Sequence, residues 1–90
     1  MTYSLRRTRD GAGDEGQMSS LYTRKEDGTW DIKHNSRPEV GSIIQVGSAY
    51  ARSYQQQDYW QTSGITEILE ETETMVRFKT YNSEYIWEVF

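Results

Sequence analysis

The sequence predicts a mainly β protein: a small antiparallel barrel of SH3-like or OB-like type, with five to six strands and a flexible N-terminal arm. Three observations carry this expectation. Apolar residues after Pro38 alternate with polar ones at a period of two, most clearly over 75–80 and 85–90. Asp27-Gly28 separates two further strand-like runs, where a tight hairpin turn needs positive φ. No segment shows a sustained helical period. A short antiparallel sheet of this length must curl to protect its edges, hence the barrel.

Residues 1–17 read as the arm. Arg6, Arg7 and Arg9 lead into Asp10-Gly-Ala-Gly-Asp-Glu-Gly16, which has no apolar side chain larger than Ala12 and three glycines with which to lose order. Tyr3 and Leu5 alternate with Ser4 and Arg6 and offer a short edge strand as the other reading. Residues 18–90 then form a single small β domain. A hairpin is expected over 18–35, with Trp30 and Ile32 on one face, and Pro38 marks a join between units. Ile43-Ile44-Gln45-Val46 between glycines has the form of a buried strand. Residues 48–63 are polar and aromatic without a clean period and read as a long loop holding a helical turn. Ile65, Ile68 and Leu69 fit a helix by spacing, but 64–71 is too short for a stable one, so a strand is expected. The last hairpin turns at Tyr81–Glu84, where Asn82 tolerates the left-handed region. The expected core is Ile44, Val46, Ile65, Val76, Phe78, Trp87 and Val89, with Ile68 or Leu69.

Composition excludes several function classes. Ninety residues allow one core, and the lack of cysteine removes disulfides, thiolate metal sites and a cysteine nucleophile. No apolar run approaches the roughly 20 residues that span a bilayer, so no membrane association and a cytoplasmic location are expected. Residues 1–45 carry seven basic and seven acidic side chains, whereas 46–90 carry three basic and seven acidic, so the net charge of −4 lies in the second half. A nucleic-acid-binding surface concentrates positive charge, which makes nucleic acid an improbable main partner.

The remaining motifs are weak. Gly11-x-Gly13-x-x-Gly16 spells a dinucleotide fingerprint, but no buried strand precedes it and Asp14 with Glu15 would repel a pyrophosphate. His34 is the sole histidine, and Asp31 would point to the opposite face of a strand, so Asp31, His34 and Glu39 make a poor metal set. No cofactor, metal or catalytic residue is expected. Tyr50, Arg52, Tyr54, Tyr59 and Trp60 are the informative cluster, because Tyr, Trp and Arg are typical interface anchors. Glu67, Glu70, Glu71 and Glu73 form an acidic run, by default a solvated rim.

Thr62-Ser63-Gly64-Ile65 and the later run Val76-Arg77-Phe78-Lys79-Thr80-Tyr81-Asn82-Ser83-Glu84-Tyr85 resemble a pattern seen in short phage- and prophage-type proteins. There a Thr-Ser-x-Ile/Val strand precedes a hairpin reading Thr-x-Asn-Ser-x-Tyr. The resemblance covers residues 60–88. It implies a small barrel of viral or mobile-element origin and supplies no catalytic residues.

The expectation is therefore a non-enzymatic binding module whose aromatic loop docks a protein partner. An acidic inhibitor of a host nuclease or other nucleic-acid enzyme, of anti-restriction or anti-CRISPR type, is the alternative. Weak nucleic-acid binding through Arg6, Arg7 and Arg9 comes third. Exposed sheet edges also allow a homodimer.

Overall fold

Alternating side chains build two antiparallel sheets around one apolar cluster. A computed structural model describes residues 1–47 and 59–90. Among these the strands are β1 (Tyr3–Arg7), β2 (Gly13–Gly16), β3 (Met18–Arg24), β4 (Trp30–His34), β5 (Ser42–Gly47), β6 (Tyr59–Gln61), β7 (Ile65–Glu71), β8 (Met75–Thr80) and β9 (Glu84–Val89). The five-stranded sheet has the order β2-β1-β9-β8-β7, and the four-stranded sheet the order β4-β3-β5-β6. The all-β class matches the expectation. Closure does not: the strands end in two sheets with open edges, rather than in an SH3-like or OB-like barrel of five to six strands. The chain crosses between sheets at Gln17 and again over Thr62–Gly64, and Gly41 N–H donates to the Ile65 carbonyl at 2.9 Å. These crossings join the layers without extending either hydrogen-bonded ladder round to meet itself.

The flexible arm is corrected most fully. β1 lies inside the five-stranded sheet, paired with β2 on one side and β9 on the other, and Tyr3 and Leu5 belong to the core. The glycines serve this arrangement. At Gly13 a Cβ would sit 1.8 Å from the Leu5 carbonyl oxygen, so only a residue without a side chain lets β2 approach β1.

Other elements follow their local chemistry. In the β3–β4 turn Gly28 has φ +88°, Gly28 N–H donates to the Lys25 carbonyl at 3.0 Å, and Lys25 N–H donates to the Thr29 carbonyl at 2.7 Å. This is the three-residue hairpin loop with glycine at its left-handed position. The β8–β9 turn is organised differently from expectation. Asn35, not Asn82, is the non-glycine residue with positive φ among those described. The Thr80 hydroxyl accepts from the N–H groups of Asn82 and Ser83 instead. β7 carries register shifts between Ile65 and Glu67 and between Ile68 and Glu70. The first leaves Thr66 unpaired, so Ile65 and Ile68, three apart in sequence, oppose Thr80 and Phe78 on one face.

The core joins Tyr3, Leu5, Ile65, Val76, Phe78, Tyr85 and Trp87 of the larger sheet to Leu21, Ile44 and Val46 of the smaller. Val89 and Ile68 are partly buried against it, as is Trp60. Within it, the Trp87 indole N–H donates to the Ser19 hydroxyl at 2.9 Å, and that hydroxyl donates to the Ser36 carbonyl at 2.8 Å. Ser19 is fully buried, so neither contact can be replaced by bulk water.

Two substitutions test this architecture. Ser19→Ala strands the Trp87 donor and should lower unfolding stability by about 1–3 kcal/mol in urea titration. Gly13→Ala should destabilise by more than about 2 kcal/mol, by adding backbone strain to a steric clash.

Candidate functional site

Strand alternation gives each sheet an inner face, committed to the core, and an outer face. The two outer faces differ in kind. On the five-stranded sheet, Arg6, Ile86, Arg77 and Glu70 form one cross-strand row, and Glu84, Lys79 and Glu67 another. Opposite charges stand side by side there, which suits a solvated surface.

The four-stranded sheet turns Tyr22, Trp30, Ile32, Ile43 and Tyr59 outward. Leu21, Ile44 and Val46 are buried, so their neighbours Tyr22 and Ile43 lie on the other side, and Tyr22 pairs with both Ile32 and Ile43. Trp30 and Ile32 are each 48% exposed, a large apolar exposure for two such side chains. Val46 opposes Trp60 and Gly47 opposes Tyr59, which sends these adjacent rings to opposite faces. Burial raises the Tyr22 pKa above its ordinary value, and the Tyr59 hydroxyl adds to the shift. Tyr22, Trp30, Ile43 and Gln61 line an open hollow of about 260 Å³. Beside it the Ser20 hydroxyl and His34 Nδ1 are 3.0 Å apart. Asp31 and His34 lie on opposite faces of β4, as strand alternation requires, so the sparse metal set is not brought together there.

The residues expected to bind partners are dispersed. Tyr50, Arg52 and Tyr54 lie outside the described residues. Tyr59 joins the outer face. Trp60 instead closes one end of the core: its indole N–H donates to the Tyr85 hydroxyl at 3.3 Å, and the Arg7 guanidinium lies 5.3 Å from its ring centre. Arg7 is held in turn by Asp10 through two hydrogen bonds of 3.0 and 2.7 Å. Arg6 lies 3.5 Å from Glu15, so two of the three N-terminal arginines are engaged within the fold.

The acidic run occupies edge strand β7 and the following turn, where cations interleave with it. Glu70 lies 3.7 Å from Arg77 and Glu71 3.2 Å from Arg37, while Glu67 pairs in register with Lys79. Arg37 also donates to the Thr72 and Glu73 carbonyls, and its guanidinium carbon lies 5.5 Å from the Trp87 ring centre. These carboxylates thus brace the edge as well as charging it.

Sequence reasoning missed Tyr22, Ile32 and Ile43 as surface residues. The available signal was the doubled pattern around Tyr22 and Ile43, where both strand faces carry apolar side chains although the sheet has one core to serve. No protein-family model, curated protein or solved structure matches this chain.

The Asp10 brace has a defined acid response. Its carboxyl is held down to about 2, from 3.8, first by the Arg7 hydrogen bonds and then by the Ala12 N–H. A folded-state pKa below the unfolded value adds stability that is complete above the unfolded value and disappears as pH falls through the folded one. Asp10→Asn should therefore lower the urea midpoint at pH 6. The difference from the parent protein should shrink as pH falls below about 4 and be lost only below about pH 2, read from paired denaturation curves.

Proposed function

We propose that this chain is a non-catalytic binding module that captures a protein partner on the outer face of its four-stranded sheet. The observation carrying the proposal is the half-exposed pair Trp30 and Ile32, contiguous with Tyr22, Ile43 and Tyr59, on a molecule whose other sheet presents alternating charges. Contiguous apolar surface of this kind is unusual on a soluble monomer unless something covers it. Tyr and Trp supply large contact area at small entropic cost, which is why they dominate interface energetics. Arg24 opposes Trp30 on the same face and adds a charged anchor at the rim.

Tyr50, Arg52 and Tyr54 remain in the proposal on their chemistry alone, as further anchors of the types that interfaces favour. A phage or mobile-element origin, suggested by the resemblance over residues 60–88, favours a host protein as partner. The acidic-inhibitor reading is the weaker proposal, because Arg37, Arg77 and Lys79 offset the carboxylates that would imitate phosphates. Nucleic-acid binding through the N-terminus is weaker again, with Arg6 and Arg7 already paired.

Affinity capture with Trp30→Ala, Tyr22→Ala and a charge-reversed Glu67/Glu70/Glu71/Glu73 variant tests the choice. Loss of a captured protein by more than about tenfold with the first two, and retention with the third, is expected. Retention by both ring variants would defeat the proposal. Loss confined to the charge-reversed variant would favour the acidic inhibitor.

A further inference from the structure

The described sheet edges are protected unequally. β7 is bulged twice and lined with glutamates, β2 is four residues with Asp14 and Glu15, and β6 is three residues long. Bulges, short length and charge are the usual means of keeping an edge unpaired. β4 is five residues, without a register shift against β3, and carries exposed Trp30 and Ile32.

The direction of its free backbone groups follows from the hairpin. Lys25 bonds to Thr29, and hydrogen-bonded pairs recur every second residue, so Thr23–Asp31 and Leu21–Lys33 are bonded pairs. Trp30, Ile32 and His34 therefore turn their N–H and C=O groups away from β3, toward the open edge. The sequence of β4, Trp30-Asp31-Ile32-Lys33-His34, is complementary to its own reverse about Ile32.

We infer that β4 is a self-pairing edge, and that two copies of this chain associate by antiparallel β4–β4 addition on a two-fold axis at Ile32. In this register Ile32 pairs with Ile32 of the second copy, and Trp30 with its His34. All three outward-facing residues of each strand find hydrogen-bonding partners. Asp31 meets Lys33 of the second copy, twice by symmetry, at non-hydrogen-bonded positions where side chains approach most closely. Neither Asp31 nor Lys33 forms an ion pair within its own chain among the described residues. A lone lysine on an edge would normally deter pairing; an aspartate two residues before it reverses that effect for a symmetric partner. The two four-stranded sheets become one eight-stranded sheet, with the apolar outer face continuous across the axis. The edge is short, so the dimer is reversible and its population depends on concentration.

The inference does not rest on the partner-binding proposal, because its test alters side chains on the opposite face of β4 from Trp30 and Tyr22. Sedimentation equilibrium from micromolar to millimolar protein should show a monomer–dimer equilibrium. Asp31→Lys and Lys33→Asp alone each place like charges at both cross-strand pairs and should weaken association by about tenfold or more. The double exchange Asp31→Lys/Lys33→Asp should restore it, as should mixing the two single variants, which then form a heterodimer. Circular dichroism and the restored association together exclude loss of fold as the cause. A monomer throughout the range, or a dimer indifferent to these exchanges, would overturn the inference.

Discussion

The buried indole N–H of Trp87 must find an acceptor, and the Ser19 hydroxyl provides it. The Ser19 hydroxyl, on the facing sheet, accepts a hydrogen bond from that N–H and donates one to the Ser36 carbonyl. Apolar contact alone would let two twisted sheets slide across one another at little cost, because dispersion is not directional. A directed bond in a dry interior removes that freedom. Arg37 covers the Trp87 ring and bonds to carbonyls in the β7–β8 turn, so the link between β4 and β5 is fastened to the opposite sheet as well. Arg37 Nε lies 3.2 Å from the Glu71 carboxylate without hydrogen-bond alignment, so this contact acts through charge rather than direction. Layer spacing and orientation thus trace back to one tryptophan and the groups that satisfy it.

Fixing the layers also fixes which surfaces remain. Alternation leaves each strand one committed face, and the composition of the other is free to vary. The larger sheet fills its free face with paired charges, while the smaller fills its own with rings and branched aliphatics. Such a face exacts a standing penalty for exposure to water, in proportion to the apolar area. Its position on the sheet that also holds the least protected edge concentrates both associative features on one side of the molecule.

Much of the strand content was legible because it depends on local chemistry. Val76 and Phe78 alternate with Arg77 and Lys79, and Asp27-Gly28 fits the loop it occupies. Four features were hidden or ambiguous for identifiable reasons. Glycines at 11, 13 and 16 read as disorder, since composition does not distinguish a glycine that permits motion from one that permits close approach; Gly13 is the latter. Ile65 and Ile68 mimic a helical spacing because a bulge adds one residue to a strand repeat. The site was only partly visible, because Tyr59 and Trp60 are indistinguishable by type and diverge through a register that β5 imposes. Barrel closure was inferred from the need to protect edges, whereas the molecule protects most of its described edges individually with charge, bulges and brevity.

β1 is an interior strand of its sheet, and Tyr3 faces Val89 across the β1–β9 pair. During synthesis β1 has its hairpin neighbour β2 almost at once, but its other ladder must wait until β9 has emerged. Contacts so distant in sequence are slow to form, since the intervening loop has to close before any of its bonds contribute. Until β9 arrives, Leu5 and Tyr3 have lost their main apolar cover, and the nascent chain presents a second, temporary sticky surface that the finished molecule does not have.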